Sequence, residues 1–198
     1  MRVLHAVNRL LCRGYHHVNV AGGPLRVPRV GPMMIVSNHI SGLDPLLIQS
    51  VIARPIVWMM AREYYQIAAL KWVFESIRAI PVSRDGKDST ALRAALRALD
   101  NGCLLGLFPE GKISLTPEVQ PFQTGAAMIA LRSGVPVLPV YQTGTPRGQE
   151  IIEAVLLPQQ VAIRFGRPID LKAEFGRSKD LQPPSDRLHD AVRALAPG

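Results

Sequence analysis

The 198-residue sequence predicts an α/β fold: a single domain with a mixed central sheet covered by helices, preceded by a basic amphipathic helix. Three observations carry this prediction. Short apolar runs bounded by glycine and proline alternate with segments of helical periodicity, the pattern of strands and crossover helices. Several of those runs end in charged or polar residues, and strand ends are where α/β sheets usually carry their sites. Hydrophobic residues make up 47% of the chain, enough to fill one core and too many for a disordered protein. The expected organisation is a basic amphipathic segment over 1–30, a core over 31–170, and a polar linker with a terminal helix over 171–198.

At 100° per residue, positions 1 to 13 place Val3, Leu4, Val7, Leu10 and Leu11 on one face of a helix and Arg2, Arg9 and Arg13 on another. The pattern suits an interfacial anchor at an anionic membrane as well as a helix packed on the core. Charge asymmetry favours the anchor, because five arginines precede Asp44, the first acidic residue. Next, Met33 to Val36 form a continuous apolar run after Gly31-Pro32, expected to be a strand buried on both faces. It delivers Ser37-Asn38-His39 into the turn Ser41-Gly42. Asp44-Pro45 then reads as a helix start, with Asp44 as N-cap and proline at the first helical position.

Arg62 to Arg78 reads as an aromatic-rich helix, and Ile80-Pro81-Val82 as a short extended segment that leads to Arg84 and the turn Asp85-Gly86. Ser89 to Leu99 has a clear apolar face in Leu92, Ala95, Leu96 and Leu99, and Asn101-Gly102 ends that helix. Cys103 to Phe108 is a second buried strand, leaving into Pro109-Glu110-Gly111-Lys112-Ile113-Ser114. A helix over Gln123 to Arg132, strands over Val135 to Val140 and Val161 to Phe165, a Pro-rich linker and a helix over Ser185 to Ala196 complete the order.

The net charge of +8 calls for an anionic partner, whether nucleic acid, a membrane surface or a phosphorylated substrate. Nucleic acid fits least, since the basic residues are dispersed and no basic-aromatic RNA-binding motif occurs. Cys12 and Cys103 stand far apart without metal-ligand spacing and are expected to be reduced thiols. No apolar stretch reaches the ~18 residues of a membrane span, because Gln49, Arg54 and Pro55 interrupt Leu46 to Ala61. Nor does a signal peptide develop, with Arg9 and Arg13 breaking the first apolar segment.

Residues 106–113 fit G-x-x-x-x-G-K, but Ile113 stands where a phosphate loop needs a hydroxyl for magnesium, and Pro109 lacks an N–H. No G-x-S-x-G nucleophile and no metal motif occurs, and His16-His17 reads as a polar loop. What remains is His39 followed five residues later by Asp44. An imidazole ordinarily titrates near ~6.5 and can accept a proton at neutral pH. A neighbouring carboxylate orients it and stabilises the imidazolium. Alone, so short a pattern is more readily explained as a strand end followed by a helix cap.

Four blocks in one order change that balance: Asn38-His39-x4-Asp44, Ile80-Pro81-Val82-x-Arg84, Phe108-Pro109-Glu110-Gly111-x-x-Ser114 and Val135-Pro136-Val137-Leu138-Pro139-Val140. Together with Pro121-Phe122-x-x-Gly125 and Phe165-Gly166-x-Pro168-Ile169, they resemble the glycerolipid acyltransferase family, and the four cover roughly 35–140. The resemblance implies that His39, oriented by Asp44, deprotonates an acceptor hydroxyl, which attacks a thioester of acyl-CoA or acyl carrier protein. It further implies that Arg84 binds the acceptor phosphate and that Glu110 and Gly111 place its glycerol, with Lys112 and Ser114 in the same substrate-binding block. No cofactor or metal is implied. The family's third block usually reads F-P-E-G-T-R-S, whereas Lys112 and Ile113 replace its threonine and arginine. Either Lys112 compensates as a point charge, or the acceptor carries a different head group. The implied setting is peripheral, at the cytoplasmic face of the cell membrane, with residues 1–13 serving in place of a membrane-spanning anchor. A non-catalytic basic protein bound to anionic membranes is the rival reading.

Overall fold

The computed structural model describes residues 2–21, 27–66, 74–83, 88–148 and 151–197. A seven-stranded sheet runs in the order β1-β7-β6-β2-β5-β3-β4. Its strands are β1 (Asn19–Ala21), β2 (Met33–Ser37), β3 (Ile56–Ala61), β4 (Ile80–Val82), β5 (Leu104–Leu107), β6 (Val137–Thr143) and β7 (Ala162–Phe165). Among the described strands only the β6–β7 pair is antiparallel, so the sheet is mixed, as predicted. The helices are α1 (Arg2–Leu10, continued by a π-helical turn Leu11–Tyr15), α2 (Asp44–Val51), α3 (Ser89–Asp100), α4 (Gly125–Ser133), α5 (Ile151–Leu156), α6 (Leu171–Phe175) and α7 (Gln182–Arg193).

The central strand β2 buries all five of its residues between β5 and β6. Its period of two separates the cores. Met34 and Val36 join one cluster with Ala95 and Leu99 of α3, Ile129 of α4 and Leu188 of α7. Met33 and Ile35 join the other, with Leu47 and Ile48 of α2 and Ile163 of β7. Both faces are therefore covered, which is why these strands read as unbroken apolar runs. The parallel register Val36↔Leu107 ends β2 and β5 side by side, so residues 38–44 and 108–114 leave the sheet at one place.

The structure differs from the sequence reading at several elements. Strand β3 was not predicted. Its residues belong to the apolar stretch Leu46 to Ala61, and the polar residues inside that stretch stitch the turn between α2 and β3. Gln49 donates to the carbonyls of Ile52 and Arg54 and accepts from the Ile56 N–H, while Arg54 donates to the carbonyls of Pro28, Gly31 and Gly102. Within the predicted helix Arg62 to Arg78, Arg62–Gln66 form a 3-10 turn and residues 74–76 are helical; the stretch 67–73 lies outside the described residues. Arg84 and the Asp85-Gly86 turn lie outside them as well. The terminal helix begins earlier than expected, at Gln182, because Pro183 and Pro184 fall in a first turn that needs no N–H bond from them. The linker before it holds α6, whose start is capped by the Asp170 carboxylate accepting from the Ala173 N–H.

Candidate active site

The predicted pair is formed. His39 Nδ1 lies 2.8 Å from Asp44 Oδ2 just past the end of β2. Asp44 is fully buried, and the same oxygen accepts the N–H groups of Ile40 at 2.7 Å and Ser41 at 3.0 Å. This corrects the N-cap expectation: Leu43 is the N-cap of α2, and Asp44 is its first residue. Its carboxylate reaches back over the turn instead of capping its own helix. A buried carboxylate is tolerable when charge-assisted hydrogen bonds replace its hydration.

The second block holds His39 by its main chain. The His39 N–H donates to Glu110 Oε1 at 2.9 Å, and the His39 carbonyl accepts from the Ser114 N–H at 2.7 Å. Glu110 and Ser114 are buried. Asn38, beside His39, ties the same strand end to β6 by exchanging bonds with Gln142: Nδ2 donates to the Gln142 carbonyl and Oδ1 accepts the Gln142 N–H, each at 2.9 Å. In the sequence Asn38 stands only as a member of the His39 motif, with no part of its own. Its burial and side-chain ladder to a strand 104 residues away were not legible locally.

A cavity of about 230 Å³ opens beside His39. Trp58, Met59, Phe74, Val82 and Leu107 give it apolar walls, and Gly111, Lys112, Ile113 and Gln123 line it near the histidine loop. Of the substrate-binding residues expected from the sequence, Gly111 and Lys112 line this cavity, with Lys112 exposed. Glu110 and Ser114 do not line it and serve the His39 main chain. Arg84 lies outside the described residues, although its neighbour Ser83 lines the cavity. Gly111 has a φ of +75°, a left-handed backbone conformation that strains any residue with a Cβ.

Burial pushes the Glu110 carboxyl up to about 7, against the lowering effect of the His39 N–H and other nearby groups. An unfolded glutamate ionises near ~4.3, so between that pH and about 7 the folded chain holds a proton that the unfolded chain has lost. Stability from this group therefore falls as pH rises through the window and levels off above it. Glu110→Gln keeps an oxygen for the His39 N–H and cannot ionise. Its unfolding free energy relative to wild type should rise by on the order of 2 kcal/mol between pH 4.5 and 8 in urea titrations. A pH-independent difference would exclude this titration.

The family model described as Acyltransferase matches residues 17–143, which span β1 to β6 and both blocks around His39. A 1-acyl-sn-glycerol-3-phosphate acyltransferase of Borreliella burgdorferi is 28% identical over 123 residues, covering 61% of this chain and 49% of the relative. The chain thus spans about half the length of that relative. One of Bacillus subtilis is 24% identical over 170 residues, covering 85% of this chain and 80% of the relative. The crystal structure of the 1-acyl-sn-glycerophosphate acyltransferase from Thermotoga maritima superimposes with a TM-score of 0.73 at 25% identity, covering 98% of this chain and 78% of that one. With its model matched over more than half of the sequence, the chain belongs to the acyltransferase family.

Proposed function

We propose that this protein moves a fatty acyl group from acyl-CoA or acyl carrier protein to a hydroxyl of 1-acyl-glycerol 3-phosphate or a similar lyso-lipid. The observation that carries the proposal is the 2.8 Å contact between His39 Nδ1 and Asp44 Oδ2 beside an apolar cavity. With Nδ1 held by the carboxylate, Nε2 is the nitrogen left to take a proton. It accepts the acceptor's hydroxyl proton as the oxygen attacks the thioester carbonyl. The C–O bond forms, the C–S bond breaks, and the thiolate leaves and takes the proton back from the imidazolium. The Asp44 carboxylate stabilises that imidazolium.

The apolar walls suit an acyl chain, and Lys112 places a cation near the base for an anionic head group. Ile113 lines the same cavity at a position where the resembled motif has arginine, which favours an acceptor bound with fewer charged contacts or one lacking phosphate.

A lipid substrate also needs a surface, and α1 supports peripheral binding at a membrane. Asn8 donates to the Leu46 carbonyl and Cys12 is fully buried, so this side of α1 and the following turn packs inward. Val7 and Leu10 are left 58% and 76% exposed, and Arg9 and Arg13 are exposed too. Apolar residues kept outward among arginines match an interfacial helix. Among the described residues no helix is long and apolar enough to cross a membrane.

The test is acyl transfer with labelled acyl-CoA and acyl carrier protein across a panel of lyso-lipids. His39→Ala should lower the rate by at least ~10² with an unchanged circular dichroism spectrum; full activity would remove His39 from the reaction. Lys112→Ala should cost more with phosphate-bearing acceptors than with neutral ones, and equal losses would argue against phosphate contact. Replacing Val7 and Leu10 by serine should reduce sedimentation with anionic vesicles, while unaltered sedimentation would place the membrane surface elsewhere.

A further inference from the structure

His39, Phe108 and Trp58 form a run of nearly parallel rings. The centroids of His39 and Phe108 are 4.1 Å apart with planes 14° from parallel; those of Phe108 and Trp58 are 5.2 Å apart at 6°. The stack is built into the sheet. Trp58 is 3% exposed on β3 and sits in register with Gly106 of β5. A Cβ at Gly106 would lie 2.5 Å from the Trp58 ring, so the glycine leaves the space the indole fills. Phe108 follows β5 directly and precedes Pro109, which confines its backbone to extended conformations. Its carbonyl is held by the Gly111 N–H at 3.1 Å.

A hydrogen bond at Nδ1 anchors one edge of the imidazole and leaves rotation about that contact. The outer torsion of a histidine is itself broad. A flat ring stacked against the imidazole face restricts this freedom. We propose that the Trp58–Phe108 stack is the positioning device of the catalytic base: Phe108 holds the plane of His39 so that Nε2 faces the cavity, and Trp58 backs Phe108. The inference rests on the reading of His39 as base. It assigns positioning parts to Trp58 on a strand that the sequence did not reveal, and to the Phe108 ring.

Two measurements on the full chain test it. The first is the downfield proton NMR resonance of His39 Nδ1–H, identified by its absence in His39→Ala and read without substrate. It should be sharp in wild type, broadened by solvent exchange in Phe108→Leu and Trp58→Leu, and retained in Phe108→Tyr and Trp58→Phe. The second is steady-state acyl transfer. Phe108→Leu should lower kcat about tenfold with KM within about twofold, the loss expected for a misplaced base, and Phe108→Tyr should restore it. A resonance insensitive to both leucine substitutions, or equal kcat in Phe108→Leu and wild type, would overturn the stack as a positioning device. Full activity in His39→Ala would instead overturn the reading on which it rests.

Discussion

One buried oxygen, Asp44 Oδ2, organises the site. It accepts from His39 Nδ1, the Ile40 N–H and the Ser41 N–H within 3.0 Å, and it does so where no part of its residue is exposed. The two main-chain donors curl the turn back on itself, which brings the imidazole to the carboxylate instead of past it. Removing a carboxylate from water is costly, and charge-assisted bonds of roughly 1.5–3 kcal/mol each offset that cost only if all are made. The turn and the pair therefore form together. The spacing of five residues in sequence is the length of that turn.

The turn would float if nothing held its entry. The parallel pairing of β2 with β5 fixes the position at which the chain leaves the sheet, and the loop after β5 then grips His39 from both sides of its peptide. Glu110 takes its N–H and Ser114 gives an N–H to its carbonyl. Asn38 and Gln142 fasten the other flank to β6. The residues of the 108–114 block thus divide: Glu110 and Ser114 bond the main chain of His39, whereas Gly111, Lys112 and Ile113 line the cavity beside it.

Much of this was legible in the sequence, for identifiable reasons. Strands β2 and β5 are buried on both faces, so they read as unbroken apolar runs, and helix α3 reads from its period and its ending at Asn101-Gly102. His39 and Asp44 are close in sequence, but their spacing alone reads as a strand end and a helix cap; the other three blocks, in order with it, are what pair them. What escaped depends on contacts between distant segments. Strand β3 was lost because the turn residues Gln49 and Arg54 do their stitching with side chains that look like interruptions of a single apolar stretch. With it went Trp58 and its stack on Phe108. Gly106 invited comparison with a phosphate loop, and its role, space for an indole on the next strand, is visible only once register is known. Asp44 was misread as a cap because aspartate before proline is a common helix start, and nothing local says that its carboxylate turns backward.

On the proposed mechanism the His39–Asp44 contact works as a charged dyad and is not merely a structural tie. Asp44→Asn separates the two, since the amide matches the carboxylate in shape and can still accept one of the turn's N–H groups, but it cannot stabilise an imidazolium. In single-turnover acyl transfer at pH 7.5, a charged dyad implies a rate lowered by roughly 10²–10⁴ with donor binding preserved. A rate within about threefold of wild type would contradict it.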